Sequence, residues 1–395
     1  MRRKRILTRK KGTTVYLLAL AGAIIIFAGG PGIVPAAELK VPKTVSIMTY
    51  ELGSTGYISY GFIGEYMIKK YGTKLRAIPA GNDTARMIAL RVGTAQFAGQ
   101  GLDIYFAMEG ISPRYSTPDW GPQQDVRYVW MAQASGQALP VRGNSNIHSV
   151  ADLKGKKIGW IPGSVINDLT EAHLAYANLT WDDVQKVNMP SYGSTCKGII
   201  DGSTATCIGN LTSSLMYELE SSPYGIRYLP EDDKEGLARI QAKLAPLLPW
   251  KATIGAGVSE SNPAHCLTYA YPTTVCYASL DEDVAYFMTK VIHEGYDTYA
   301  AANEQMKHYW GLDSFVYLYE NSDFAILHPG TERYLKEIGA WKPAYDKFQK
   351  ERTRRYVELR AFFEKVIDEA IENKIKAKNF SEFWLEKRAA FLEAK

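Results

Sequence analysis

The stretch VSIMTYELGSTGYISYGFIGEYMIKKYGTKLRAIPAGNDTARMIALRVGTAQFAGQ, residues 45–100, decides the fold. Residues 45–50 are apolar and β-rich and read as a strand. Ile58, Phe62, Ile63, Tyr66 and Met67 then recur at helical spacing, which predicts a helix over 58–71. A second strand, 74–78, breaks at Pro79-Ala80-Gly81, and a helix over 83–92 follows with Asn82 or Asp83 as its cap. Residues 95–100 read as a short buried strand, and Asp103 opens a further helix. Strands alternating with helices build a parallel sheet of βα units. The first strand breaks into Gly, Ser and Thr before its helix, which leaves backbone N–H groups at a helix start, where an anion can sit.

The pattern restarts in VADLKGKKIGWIPGSVIND, residues 150–168: a short helix, a Gly turn, a strand at 157–161, a Pro-Gly-Ser loop and a helix from Ile166. Residues 187–189 are a candidate strand, and GIIDGSTATCIGN, residues 198–210, reads as a helix end, a Gly turn and a strand. Two α/β lobes are therefore expected, with crossings at 139–142 and within 264–275. The expected organisation is a signal peptide at 1–37, lobe 1 at 38–140 and 266–343, lobe 2 at 141–265, and a helical C-terminal extension at 344–395. In the extension, Tyr356, Leu359, Phe363, Val366, Ile367, Ala370 and Ile371 form a helical stripe, and Phe380, Phe383, Trp384 and Phe391 form a second apolar set. These predict a helical pair packed on the body; a docking element is the alternative.

The chain has 395 residues, 46% hydrophobic and 22% charged, which suits two ordinary globular domains and argues against disorder. Seven basic residues precede an apolar run from Val15 to Gly30, and Val34-Pro35-Ala36-Ala37 follows, the order of a secretory signal cleaved near Ala36 or Ala37. No Cys follows the run for lipid attachment. Export would remove seven basic and no acidic residues, leaving 39 basic against 42 acidic and a formal charge of −3. The positive charge thus belongs to the precursor, and no basic nucleic-acid face is expected.

Cys196, Cys207, Cys266 and Cys276 all lie in the exported portion, where an even number suits an oxidising compartment. Three pairings are open; two local bridges, Cys196–Cys207 and Cys266–Cys276, are the simplest. The spacings exclude CxxC motifs, and no metal site or cofactor is expected. None of the six histidines sits in an HExxH pair or beside a plausible Cys nucleophile; GNSNI (residues 143–147) lacks the final Gly of a GxSxG elbow, and no P-loop or GxGxxG follows a strand. An enzyme is not expected.

Four stretches together carry a family likeness: TYELGSTGY (49–57), GNDTARMIALRVGTAQFAGQGLDIYFAMEG (81–110), DLKGKKIGWIPGS (152–164) and LHPGTERYLKEIG (327–339). The chain resembles the TAXI-type solute-binding proteins of TRAP transporters over about residues 44–343. The resemblance implies a bilobal periplasmic-binding-protein-like fold with a hinge and cleft, and a periplasmic receptor for an organic acid or amino acid. It also implies membrane permease subunits as partners. The chain departs from the family pattern: Arg86 stands where Asn is usual, and Val165-Ile166-Asn167 replace Gly-Thr-Arg. The identity of the family's ligands is therefore not carried over.

A carboxylate ligand needs loop N–H groups, hydroxyls and a guanidinium fork. Ser54 and Tyr57, Asn82 and Arg86, and Ser164 and Asn167 come from three such loops at the carboxyl ends of strands, where open α/β sheets bind ligands. Gln100 and Asn210 complete the expected ligand set; Asp103 is expected to cap a helix, and His328 to be structural. The aromatic residues and the Val165-Ile166 pair favour a carboxylate with an apolar or aromatic part. Competing readings are a receptor of the same shape serving an ABC transporter or sensor kinase, a periplasmic hydrolase, and an interaction protein whose tail is the active part.

Overall fold

The computed structural model describes residues 40–394 apart from 53, 81 and 124. The expected signal peptide lies outside them. Among the described residues no helix is long and apolar enough to cross a membrane.

The first lobe opens with β1 (Thr44–Thr49), α1 (Thr55–Tyr71), β2 (Lys74–Pro79), α2 (Asp83–Arg91) and β3 (Phe97–Gln100). Then come α3 (Asp103–Glu109), α4 (Ser112–Tyr115) and β4 (Val126–Gln133). β1 pairs in parallel with both β2 and β3, as the βα reading requires. The chain leaves this sheet through residues 134–136 and builds the second lobe. Its elements are β5 (Gln137–Ala138), β6 (Pro140–Arg142), β7 (Lys157–Trp160), α5 (Val165–Ala175), β8 (Gln185–Asn188) and α6 (Tyr192–Asp201). They continue with β9 (Gly209–Asn210), α7 (Ser214–Glu220), β10 (Ile226–Tyr228), α8 (Lys234–Lys243), β11 (Leu248–Ala252) and β12 (Ala264–Thr268). After Tyr269 the chain returns as β13 (Ala270–Tyr277), which runs antiparallel between β3 and β4 and completes the order β2-β1-β3-β13-β4. Sheet β11-β12-β5-β9 and the pairs β7-β8 and β10-β6 form the second lobe. Two α/β lobes joined by two extended crossings make a bilobal, periplasmic-binding-protein-like fold.

Helices α9 (Glu282–Glu294), α10 (Tyr296–Ala302), α11 (Glu304–Tyr309), α12 (Leu312–Glu320) and α13 (Pro329–Glu337) cover the first lobe. The HPGTERY segment is a packing device. His328 caps α13, accepting at Nδ1 from the Gly330 N–H (3.1 Å), and Pro329 takes the first turn. A Cβ at Gly330 would stand 2.3 Å from the Glu282 carbonyl oxygen, so only glycine lets α13 close on α9. Thr331 and Thr289 hydroxyls bond across that contact at 2.9 Å. His328 is buried, and burial pushes its imidazole down to about 4.

The C-terminal extension is α14 (Pro343–Glu372) and α15 (Phe380–Glu393), packed on the first lobe. Tyr356, Leu359, Phe363, Val366 and Ala370 of the stripe are buried, with Phe380 and Trp384 from α15. Ile371, expected on the same stripe, is 69% exposed in the last turn of α14. The extension is tied by charge as well. Glu109, the last residue of α3, is 1% exposed and accepts from Arg355 (2.9 Å to Oε2), Tyr356 (2.7 Å) and Arg388. Burial alone would raise its pKa; Arg355, Arg388 and Tyr356 outweigh it and hold Glu109 below the usual carboxylate range.

All four cysteines are buried thiols. Cys196 and Cys207 lie Sγ to Sγ at 2.8 Å. The expected Cys266–Cys276 bridge is not formed. Cys266 lies on β12 in one sheet and Cys276 on β13 in the other. Nearly continuous strand separates them, roughly 30 Å at the rise of an extended chain.

Candidate functional site

A cleft of about 510 Å³ opens between the lobes, a size that suits a small-molecule ligand. From the first lobe it is lined by the starts of α1 and α2 and by Tyr50, Tyr269 and Tyr271. From the second it is lined by the starts of α5, α6 and α7. Each of these helices follows a loop rich in Ser, Asn or Gly, which ends the preceding strand and leaves helix N–H groups facing the cleft.

Five of the eight expected ligand residues line it: Ser54, Asn82, Arg86, Ser164 and Asn210. Ser54, Asn82 and Ser164 are helix N-caps, accepting from the N–H groups of Tyr57 (3.2 Å), Ala85 (2.8 Å) and Ile166 (3.2 Å). Each cap uses one of the free N–H groups of its first turn and orients the others. Asn210, on β9, accepts at Oδ1 from Ser135 and from Thr212 N (3.4 Å), while its buried Nδ2 has no partner.

Arg86 lines the cleft but is already engaged by its own lobe. It is 3% exposed and pairs with Asp83 one turn before it, while Nη1 donates to the Ala80 carbonyl at 3.3 Å. Its guanidinium lies 4.2 Å over the Tyr50 ring. Burial works against its charge, and Asp83, Tyr50 and Asp103 outweigh that, so its pKa is raised. The guanidinium thus gives one N–H to Asp83 and one to Ala80, while Nε remains unpartnered. The Tyr50 ring is itself set by Gly56, where a Cβ would stand 2.2 Å from its Cδ2. The Tyr50 hydroxyl is buried without a partner.

Three expected residues are not in the lining. Tyr57 is on α1 outside the cleft wall. Gln100 is fully buried within β3 behind the wall, donating at 3.5 Å to the Asp83 carbonyl. Asn167 is a backbone staple: its amide donates to Ile161 O (2.6 Å) and accepts from Ile161 N (3.0 Å), fixing the turn between β7 and α5. One donor and one acceptor of the amide are thereby spent on the turn.

Sequence reasoning missed Tyr192 and Lys197 of α6, Ser213 before α7, and Gln137 of β5, all in the lining. PSYGS (residues 190–194) has the same strand-to-helix composition as the loops that were singled out, and reading it that way would have found α6. Lys197 is exposed and has no ion pair with a described residue. Ser213 Oγ and Gln137 Oε1 are buried without partners. Among the described residues no group of three or more His, Cys, Asp or Glu is placed to hold a metal.

Two α/β lobes with a cleft at converging helix starts have the architecture of a solute-binding protein. The chain belongs to the NMT1-like family, whose sequence profile matches residues 59–339 and which corresponds to the TAXI-type solute-binding proteins of TRAP transporters. The extension lies beyond the match. No curated protein matches the sequence. Solved structures similar to it include the alkanesulfonate-binding protein SsuA from Xanthomonas axonopodis pv. citri bound to MOPS. That protein is 17% identical, with 76% of this chain and 85% of that chain covered and a TM-score of 0.42. The periplasmic aliphatic sulphonate-binding protein SsuA from Escherichia coli is 16% identical, covering 81% and 88%, with a TM-score of 0.44. An ancestral arginine-binding protein bound to arginine is 16% identical, covering 71% and 98%, with a TM-score of 0.37.

Proposed function

We propose that the protein is an extracytoplasmic receptor that captures a small carboxylate or amino acid by closure of its lobes and delivers it to a TRAP-type, ion-driven permease. The observation that carries this reading is the convergence of the capped starts of α1, α2, α5 and α6 on one cleft. Each helix start presents roughly half a positive charge. Lys197 adds a whole charge that no described carboxylate neutralises. Glu51 and Gln137 supply acceptors for an ammonium group. Tyr50, Tyr192, Tyr269, Tyr271, Val165 and Leu215 give an apolar part of the ligand somewhere to lie.

A ligand that touches both lobes binds the closed form better than the open one, and that difference drives closure. The crossings at residues 134–136 and Tyr269 are the proposed hinge, so lobe 2 would run from 137 to 268. The permease would receive the closed form in the periplasm, after removal of residues 1–37. The test is a thermal-shift screen of carboxylates, amino acids and neutral solutes on protein refolded to strip bound ligand. At 100 times Kd a ligand adds about 2.7 kcal/mol to stability. A rise confined to carboxylates supports the reading; a rise confined to cationic or neutral solutes defeats it.

A further inference from the structure

Arg114 stands where two lobes and the extension meet. Its Nε donates to Asp103 Oδ1 at 3.0 Å within the first lobe, and its Nη2 donates to Asp168 Oδ2 at 3.0 Å on α5 of the second. Among the ion pairs of the described residues, Arg114–Asp168 alone joins one lobe to the other. The geometry is that of a shielded bridge: Asp103 is wholly buried, and the Arg114 and Asp168 side chains are 12% and 28% exposed. Asp103 also accepts from the Tyr115 hydroxyl, so the inner carboxylate is fixed. Asp168 stands one residue before Leu169, and Asp103 one after Leu102; both leucines line the cleft. The bridge thus spans the lobes directly beside the ligand space.

Arg114 sits in α4, a helix of four residues held on both sides by the extension. Before it, Trp384 Nε1 donates to the Gly110 carbonyl at 2.6 Å, and Arg355, Tyr356 and Arg388 hold Glu109. After it, the Ser116 and Ser381 hydroxyls bond to each other. A long, flexible arginine gains most from a bridge when its backbone is already fixed, because less freedom is lost on bonding.

We infer that Arg114 is a positioning residue for ligand capture: it latches the closed lobes through Asp168, and the C-terminal helices hold it in place to do so. The inference rests on the receptor reading, yet it concerns closure rather than ligand identity. An ion pair that exists only when the lobes meet shifts the equilibrium toward the closed form. The pair is partly open to water, so its effect weakens as salt screens it.

Small-angle scattering of the purified, ligand-free protein tests this. Asp168→Asn removes the outer partner and leaves Arg114 paired with Asp103, so folding is spared. The radius of gyration is expected to rise, as it should for the wild type in 1 M salt. Asp168→Glu should stay near wild type. Glu171→Gln is the control: it removes the same charge one turn along α5, from a pair with Lys243 inside the second lobe. Trp384→Phe removes the bond to Gly110 and leaves a smaller aromatic ring in its place; it should raise the radius in the same direction and add little on top of Asp168→Asn. A radius unchanged by Asp168→Asn, or changed equally by Glu171→Gln, overturns the latch. A Trp384→Phe effect that is absent or fully additive overturns the role of the extension. Failure of every carboxylate to bind would overturn the ligand reading and leave these scattering outcomes as they stand.

Discussion

Arg86 and Lys197 line the same cleft from opposite lobes, and of the two only Arg86 is paired with a carboxylate among the described residues. The two cations therefore answer differently to substitution. Lys197→Ala is expected to weaken carboxylate binding by about 10- to 100-fold, the worth of one charged hydrogen bond at roughly 1.5–3 kcal/mol. Stability should move by no more than about 0.5 kcal/mol, because the side chain is exposed. Arg86→Ala should instead cost roughly 3–5 kcal/mol of stability, since Asp83, 8% exposed, is left without its partner. Calorimetric titration and urea denaturation of both variants separate the roles. Equal stability losses would contradict the assignment.

The His328 cap makes stability depend on pH. Its folded pKa of about 4 lies below the ordinary value near 6.5. A depressed histidine favours the neutral folded form, so its contribution is complete above about pH 6.5 and is lost as pH falls toward 4. The loss attributable to this group reaches roughly 3 kcal/mol. His328→Asn keeps a capping acceptor and removes the titration. Urea melts from pH 7 to pH 4 should therefore fall less steeply in the variant.

Glu109 anchors the extension. Replacing it with Ala leaves Arg355 and Arg388 facing a partly buried site without their carboxylate, at an expected cost of about 3–5 kcal/mol. Glu109→Ala should also raise proteolysis within residues 344–395. An unfolding free energy within about 0.5 kcal/mol of wild type, read from urea melts, would show that the contact is incidental.

The cysteines divide into a close pair and two separated thiols. Oxidation by glutathione disulfide, which takes up the two electrons released, is expected to join Cys196 to Cys207 and leave Cys266 and Cys276 as thiols. Burial pushes the Cys207 thiol well above its ordinary range, so closure should be faster during refolding than in the folded protein. Alkylation followed by peptide mass spectrometry reads the pairing.

Much of the first lobe was legible in residues 45–100, because periodicity and breakers are local signals. The expected strand 74–78 and helix 83–92 lie within a residue of β2 and α2. The family signature at 327–339 marked a real junction, whose cause is the close approach of Gly330 to α9. The cleft was less legible. Local sequence showed that Ser54, Asn82 and Ser164 sit at helix starts. It did not show that Asn167 folds back on Ile161, or that Asp83 claims Arg86, because both are choices among partners settled in three dimensions. The separation of Cys266 from Cys276 likewise follows from strands entering different sheets, which spacing alone does not encode. Lys197 was missed because a lone lysine on a helix looks like any solvated charge until five helix starts are seen around it.

The most direct test of carboxylate recognition is calorimetric titration of the refolded protein with the best-binding acid from the screen and with its primary amide, matched in shape. Helix starts and Lys197 act on charge, so the acid should bind at least about 100-fold more tightly than the amide, a difference of roughly 2.7 kcal/mol. Equal affinities would contradict carboxylate recognition and leave shape and apolar contact as the basis of binding.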